Sequence, residues 1–315
     1  MRYRTLGSSG PLISELGFGA SPLGGIYGTF AEQAGIAAVH AALNAGITFL
    51  DVSPYYGLTA AETVLGKALD GIGRDRYVLA TKVGRYGDEA FDFSASRVTR
   101  SVRESTDRLG TGHIDLIQCH DVEFGSLEQI TGETIPALRG LQDTGLVRQV
   151  GITGYPLPAL LHIARRAGVD TVMSYCQYTL QDRRLAGSAA DFTAMGAAII
   201  NASPLAMGAL TERGAPPWHP APPGVLARCA QAAALCRDRG ASLEKLALQF
   251  SVTTSPCVTT VVGSASAANI RRDAAWISEP IDAGLLADVE AVLAPVRDLG
   301  WLNGRPENQE TGRPS

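Results

Sequence analysis

The sequence places a carboxylate and a phenol close together after a predicted buried strand. Asp51 and Tyr56 stand five positions apart in the segment TFLDVSPYYG. Residues 48–51 are rich in β-branched and aromatic side chains, as in a buried strand, and Ser53-Pro54 predicts a turn directly after it. This layout suits acid/base chemistry. On its own, however, the pair is equally consistent with a turn residue and a half-buried aromatic ring.

Two further ionisable residues end the next two predicted strands. Lys82 ends YVLATK, and His120 ends IDLIQCH. A phenol has an unperturbed pKa of about 10, too high for a base at neutral pH, but a neighbouring ammonium lowers that pKa. A carboxylate would keep the lysine charged, and a neutral histidine would orient the reacting oxygen. The four residues together predict proton transfer at a carbinol or carbonyl, which needs a hydride partner such as a nicotinamide cofactor.

Short β-like segments alternate with helical patterns along the chain. We predict strands at Leu16–Ala20, Thr48–Asp51, Tyr77–Lys82, Ile114–His120, Val147–Thr153, Thr171–Cys176, Ala197–Ala202 and Thr259–Gly263. We predict helices at Ala31–Ala45, Ser96–Leu109, Leu157–Ala167, Leu185–Met195, Gly224–Arg239, Leu243–Val252 and Ala267–Trp276, with a further helix from Ser126 that Pro136 kinks or divides. Eight strand–helix repeats in about 300 residues predict an α/β fold, a (β/α)8 TIM barrel.

The barrel occupies a single predicted domain, residues 1–302. Residues 1–16 predict an N-terminal β-hairpin that closes the bottom of the barrel. Residues 303–315 are polar and predict a loosely ordered C-terminal tail. An open doubly wound sheet is the alternative, but its dinucleotide fingerprint is missing, because Pro22 stands where the third glycine of GFGASP would be.

Catalytic groups of a barrel lie at the C-terminal ends of the strands, so Asp51, Lys82 and His120 should emerge on one face. Alternation along the fourth strand should point Gln118 and His120 into the barrel and Cys119 toward the helices.

Composition excludes several classes of protein. The 315 residues are 45% hydrophobic with a net charge of −4, which argues against a nucleic-acid partner. No apolar run approaches the roughly 18 residues of a membrane span, and the first residues do not resemble a signal peptide. The five cysteines and five histidines are scattered, without a CxxC or HExxH motif, so neither a disulfide framework nor a metal site is predicted. We expect a cytoplasmic protein, a monomer or weak homo-oligomer, that acts on a small molecule.

These motifs resemble those of the aldo-keto reductase family over almost the whole chain. The resemblance is carried by DxxxxY from Asp51 to Tyr56, by ATK ending at Lys82, and by the strand ending at His120. It extends to GFGASPLGG, GIT, SPLAMGAL and VVGSAS. It implies that Tyr56 transfers the proton, Lys82 tunes its pKa, Asp51 holds Lys82, and His120 orients the substrate oxygen.

The resemblance also implies an extended nicotinamide cofactor across the barrel mouth. The residues implied are Thr153, Ser174, Tyr175, Ser203, Leu205, Met207, Gly208, Gly263, Ser264, Asn269, Arg272 and Asp273. Thr153-Gly154 replaces the Ser-Asn that usually holds the nicotinamide carboxamide, and Arg272-Asp273 replaces the usual adenine-binding Glu-Asn. Gly263 and Asn269 stand where a lysine and an arginine bind the phosphate of NADP, which predicts NAD. If the alignment of this loop with the family is shifted by two residues, Arg271 and Arg272 would reach that phosphate.

Further segments, among them SYCQY and PPWHP, are similar to sugar 1-dehydrogenases of this family. They imply oxidation of the anomeric carbon of an aldose, L-galactose or L-fucose, to its lactone. The predicted substrate residues are Tyr27, Tyr55, Tyr86, Glu123, Phe124, Trp218 and His219. Two alternatives are an NADPH-dependent aldehyde or ketone reductase and a weakly catalytic regulatory subunit that holds a cofactor.

Overall fold

Eight parallel strands close into a barrel in the computed structural model, which describes residues 1–7, 10–25, 28 and 30–309. An antiparallel hairpin precedes them, formed by β1 (Tyr3–Thr5) and β2 (Leu12–Ser14). The barrel strands are β3 (Leu16–Gly19), β4 (Phe49–Asp51), β5 (Val78–Val83), β6 (Ile114–Cys119), β7 (Val147–Gly154), β8 (Thr171–Tyr175), β9 (Ala198–Ala202) and β10 (Thr259–Gly263). Strand β10 pairs with β3 and closes the cylinder. The predicted (β/α)8 barrel is confirmed, and each predicted strand ends within one residue of the observed one.

Helices cover the outside of the barrel. They are α1 (Glu32–Asn44), α2 (Ala60–Leu69), α3 (Ala95–Leu109), α4 (Leu127–Gln129), α5 (Ile135–Asp143), α6 (Leu157–Ala167), α7 (Arg184–Gly187), α8 (Ala189–Ala194), α9 (Pro223–Asp238), α10 (Leu243–Thr253), α11 (Ala267–Trp276) and α12 (Ala283–Leu293). Sequence patterns missed α2 and α12, and the predicted helix 185–195 divides at Ser188. Pro136 lies in the first turn of α5, after a π-helical turn over residues 130–134. In the described part of the chain, no helix has the length and apolar character needed to cross a membrane.

The hairpin closes the bottom of the barrel with apolar side chains. Leu6 and Ile13 are fully buried and belong to one cluster with Phe49 and Val78 from the barrel interior. Burying an aliphatic side chain of this size contributes about 1.5–3 kcal/mol. The second apolar cluster lies between the strands and the helices and includes Cys119, as the alternation along β6 predicts.

Residues 303–309 pack against the barrel rather than forming a loose tail. The side chain of Asn308 is buried and donates to the carbonyl oxygens of Glu123 and Gly125, both at 2.9 Å. The backbone N–H of Arg305 donates to the Glu123 carbonyl at 3.0 Å. The expectation of loose order therefore does not hold for these residues.

Two loops at the top of the barrel touch through their backbones. A Cβ atom at Gly24 would lie 2.5 Å from the carbonyl carbon of Tyr56 and 2.6 Å from the nitrogen of Gly57. Only a glycine allows this approach, so the loop after β3 fixes the position of the loop that carries Tyr56.

We expect Gly24→Ala to lower the free energy of unfolding by about 1–3 kcal/mol, because the new methyl group would push the two backbones apart. Denaturant titration measures the change. Gly140→Ala is the control and should not destabilise the protein, because in α5 the added Cβ would meet no atom within 4 Å apart from its chain neighbours and the nearby backbone of its own helix. Equal stability of wild type and Gly24→Ala would contradict the contact.

Candidate active site

The four ionisable residues predicted at the strand ends line one cavity at the top of the barrel. Asp51 ends β4, Lys82 lies near the end of β5, His120 follows β6, and Tyr56 lies in the loop between β4 and α2. The cavity has a volume of about 1390 Å³. Small-molecule pockets are usually about 300–1000 Å³, so this one has room for a substrate and a long cofactor.

Asp51 and Lys82 form a buried ion pair. The Lys82 ammonium donates to Asp51 Oδ2 at 2.6 Å and to the Val52 carbonyl at 2.9 Å, and its side chain is 1% exposed. Gln118 donates to the other Asp51 oxygen at 3.0 Å. Burial raises the pKa of Asp51, while Lys82 and Gln118 oppose that rise. Because a buried charge is stable only with a partner, each member of the pair compensates the charge of the other.

Tyr56 lies next to this lysine. The Lys82 nitrogen is 4.8 Å from the centre of the Tyr56 ring. From the neighbouring ammonium, the sequence predicts a lowered pKa for Tyr56. Burial has the larger effect, and together with Asp51 and Asp121 it raises the pKa of Tyr56 well above 10. Arg85 acts in the opposite direction. Tyr56 therefore carries its proton at neutral pH.

His120 is held as a neutral hydrogen-bond donor. Ser53 Oγ lies 3.0 Å from His120 Nδ1 and already accepts the backbone N–H of Tyr55 at 3.1 Å. We assign the Ser53 hydroxyl as the donor to Nδ1 and the imidazole proton to Nε2, which faces the Asp121 carboxylate at 3.7 Å. Burial lowers the pKa of His120 to about 3. The ring stands at 89° to that of Tyr56, with centres 5.7 Å apart, so donor and phenol face the same space.

The cavity continues from these residues to a loop that suits a phosphate group. Ala206, Met207 and Gly208 have φ values of 47°, 48° and 100° in succession, following Ser203 at 56°. The N–H groups of Ala206, Gly208 and Ala209 bond to carbonyl oxygens within the turn, at 2.9, 3.0 and 3.0 Å. The turn therefore offers a phosphate group space beside small side chains rather than a cluster of free N–H groups.

The loop after β10 and the start of α11 form the far end of the cavity. A Cβ at Gly263 would lie 3.0 Å from Pro22 Cδ and from the Gly19 carbonyl oxygen, so the loop runs closely along the barrel rim. Ser266 caps the helix, and Ser264 accepts the side-chain N–H of Asn269 at 3.3 Å. A helix N-terminus is a favourable place for a phosphate. The residues present thus fit an extended nicotinamide dinucleotide.

Most of the predicted site residues line this cavity. Beside the four ionisable residues, they are Tyr55, Thr153, Tyr175, Ser203, Leu205, Met207, Gly208, Trp218, Gly263, Ser264, Asn269 and Arg272. Two predicted cofactor residues lie behind the wall: Ser174 donates to Gln177 at 2.5 Å, and Asp273 is buried beside Arg272. The predicted substrate residue Tyr27 lies outside the described residues.

Three predicted substrate residues lie away from the cavity. The Tyr86 hydroxyl accepts the backbone N–H of Gly84 at 3.1 Å. Phe124 stacks on Phe91 with ring centres 4.7 Å apart. His219 is buried, with Nε2 bonded to a carbonyl at 2.9 Å and Nδ1 accepting a backbone N–H at 3.1 Å. All three belong to loop packing.

Glu123, a fourth predicted substrate residue, is fully buried in the wall. Its Oε1 accepts the Tyr155 N–H at 3.1 Å and the Asn303 side chain at 2.7 Å, while its Oε2 has no partner among the described residues. A Cβ at Gly154 would lie 2.5 Å from that Oε2. The Glu123 carboxyl group therefore fills the space of a side chain at 154, which explains the missing asparagine. Burial raises the pKa of Glu123 to about 8.

Sequence reasoning missed several residues of the cavity wall. They are Arg85, Asp121, Glu244, Trp301 and Asn303. Arg85 and Asp121 follow the ends of β5 and β6, where the rule that located Lys82 and His120 could have found them. Trp301 and Asn303 come from the end of the described chain and carry no local signal.

Comparison with known proteins places this geometry in context. The model of the Aldo/keto reductase family matches residues 15–294. L-galactose dehydrogenase of Arabidopsis thaliana is 43% identical, covering 98% of this chain and 99% of that protein. D-threo-aldose 1-dehydrogenase of a Pseudomonas species is 29% identical, over 91% of this chain and 97% of its own length. An aldo-keto reductase of Bacillus halodurans, solved in its holo form, is 26% identical with a TM-score of 0.78, over 98% of this chain and 100% of that one.

The buried Glu123 predicts a pH-dependent stability. Its pKa is about 8 in the folded chain and about 4.3 when unfolded. Its contribution to stability is therefore fully present below about pH 4 and is lost as the pH rises toward 8. We expect Glu123→Gln to remove this loss, so that its unfolding free energy falls less than that of wild type between pH 5 and pH 8. Urea titrations at three pH values test this, with Glu307→Gln as an exposed control on the neighbouring segment. Parallel pH profiles for wild type and Glu123→Gln would show that Glu123 does not titrate as described.

Proposed function

Because the chain belongs to the aldo/keto reductase family, we propose that it is an NAD-dependent sugar 1-dehydrogenase. Its substrate would be L-galactose or the related L-fucose, oxidised at the anomeric carbon to the aldonolactone. The observation that carries the proposal is the buried Asp51–Lys82 pair beside Tyr56, facing a neutral His120 in one cavity. The names of the two relatives described above support sugar oxidation, and the name D-threo-aldose 1-dehydrogenase supports oxidation at carbon 1.

Each of the four residues has a separate part in the proton transfer. His120 Nε2–H donates a hydrogen bond to the substrate hydroxyl oxygen and orients it toward Tyr56. The Tyr56 oxygen receives the hydroxyl proton. Lys82 stabilises the phenolate form, and Asp51 keeps Lys82 charged. When bound, the nicotinamide supplies the hydride acceptor.

The far end of the cavity supports NAD over NADP. Gly263 and Asn269 line it without contributing charge, and the Glu244 carboxylate lines it as well. A carboxylate can accept a hydrogen bond from a ribose 2′-hydroxyl but repels a 2′-phosphate. Arg272 also lines this end, where its guanidinium stacks 4.5 Å from the Trp276 ring centre and contacts Asp273 at 3.3 Å.

A second candidate is carbonyl reduction by the same residues. The raised pKa of Tyr56 favours it, because a protonated phenol at neutral pH is ready to donate to a carbonyl oxygen. The two directions differ in pH dependence. Oxidation requires Tyr56 to lose its proton, so its rate should rise toward alkaline pH, whereas reduction should slow there.

We expect Tyr56→Phe to lower kcat/KM for L-galactose oxidation by about 10²–10⁴-fold, because general acid/base catalysis contributes that much. Initial rates with NAD from pH 7 to pH 10 should rise for wild type and stay flat for the variant. Tyr55→Phe is the matched comparison, since the Tyr55 hydroxyl donates to Asp88 rather than toward His120. It should lose less than about tenfold. A Tyr56→Phe protein that keeps most of its turnover would refute the assignment.

The cofactor preference is tested by exchange. We expect kcat/KM with NAD to exceed that with NADP by about tenfold or more, since Glu244 would repel a 2′-phosphate and Arg272 is already paired with Asp273. Comparable values for the two cofactors, together with a loss of NADP activity in Arg272→Gln, would instead assign Arg272 to the phosphate.

A further inference from the structure

Arg85 and Asp121 form an ion pair in the cavity wall beside the reacting groups. Arg85 Nη1 donates to Asp121 Oδ2 at 2.5 Å, and the two side chains are 18% and 8% exposed. Both residues line the cavity. The proton-transfer steps derived above give neither of them a part.

Arg85 is held rigidly in place. Its guanidinium carbon lies 3.8 Å from the centre of the Tyr55 ring, with Phe91 and Phe124 at 5.3 and 5.7 Å. Asp121 raises the pKa of Arg85, although burial opposes that effect. A guanidinium fixed between aromatic rings is pre-organised and loses little entropy when it binds a ligand.

Asp121 is held as firmly. Its backbone is left-handed, with φ 52° and ψ 59°, and its N–H donates to Thr153 Oγ1 at 3.1 Å. A left-handed aspartate persists only where its surroundings fix it, and such residues concentrate at functional sites. Here the backbone turn brings the carboxylate to within 3.7 Å of His120 Nε2.

Both side chains retain hydrogen-bonding capacity. The Nη2 group of Arg85 and the Oδ1 atom of Asp121 bond to none of the described residues. The pair therefore presents a donor edge and an acceptor oxygen next to each other. Neighbouring sugar hydroxyls each donate and accept, so they match such a pair. A carboxylate substrate would be repelled by Asp121, and the pair as a whole carries no net charge.

We propose that Arg85 and Asp121 bind two hydroxyl groups of a neutral aldose, the one on carbon 2 and the one on carbon 3. The position follows from His120, whose Nε2 contacts the oxygen on carbon 1. Asp121 Oδ2 lies 3.7 Å from that nitrogen, so the Asp121 carboxylate is within reach of the hydroxyl next to the one that His120 contacts. The inference rests on the proposed function and deepens it by assigning the residues that select the substrate.

The test compares L-galactose with 2-deoxy-L-galactose at saturating NAD. Wild type should prefer L-galactose in kcat/KM by about 10- to 100-fold, the effect of one hydrogen bond to a charged group. In Arg85→Lys and Asp121→Asn, the ratio of kcat/KM for L-galactose to that for 2-deoxy-L-galactose should fall toward one, chiefly through loss of activity on L-galactose. Asparagine tolerates the left-handed conformation, so Asp121→Asn keeps the backbone. Quenching of tryptophan fluorescence by NAD confirms that each variant is folded.

Arg97→Lys is the matched control. Arg97 also pairs with a carboxylate, Glu104, and stacks on a tyrosine, Tyr86 at 3.9 Å, but it does not line the cavity. It should keep the wild-type preference. If Arg85 and Asp121 had a purely structural role, their variants would lose activity on both sugars equally. An unchanged ratio of kcat/KM for L-galactose to that for 2-deoxy-L-galactose in both variants would therefore overturn the inference and leave the proposed function intact. A wild-type protein that oxidises none of a panel of L- and D-aldoses refutes the proposed function, and the inference with it.

Discussion

The ion pair between Asp51 and Lys82 is the interaction on which the site depends. The two residues come from neighbouring strands, and Gln118 from the next strand completes the hydrogen bonds of the carboxylate. Removing one member of such a buried pair costs about 3–5 kcal/mol, because the other charge is left without a partner. The pair thus couples the register of three strands to the electrostatics of the site. In the proposed reaction, its position in the barrel wall places the Lys82 ammonium beside the phenol that changes protonation state.

Charged groups of both signs surround Tyr56. Asp51 and Asp121 favour the neutral phenol, Arg85 favours the phenolate, and burial favours the neutral form most strongly. A phenol in this setting keeps its proton in the resting protein and is spared the cost of an isolated buried charge. His120 is likewise neutral, because burial outweighs the neighbouring Asp121. The resting site therefore presents two neutral groups, Tyr56 and His120, to the cavity.

Local sequence patterns predict most of the fold and the four ionisable residues that meet in the cavity. The strands and their ends follow from short β-branched runs with turns after them, and parallel strands bring those ends to one face. His219 and Tyr86 lie away from the cavity, and residue type alone does not predict this, because it does not tell which polar atoms the backbone has already satisfied. The role of Glu123 depends on Gly154 and Asn303, which are distant in the sequence, so no local window contains it.

The stacking of Trp301 on Tyr155, with ring centres 4.4 Å apart, separates the pocket from the barrel scaffold. The barrel closes where β10, at residues 259–263, joins β3, whereas the cavity wall extends to Asn303, about 40 residues further along the chain. Loss of the segment that carries Trp301 and Asn303 would therefore open the pocket on the side of Tyr155 and leave every barrel strand in place.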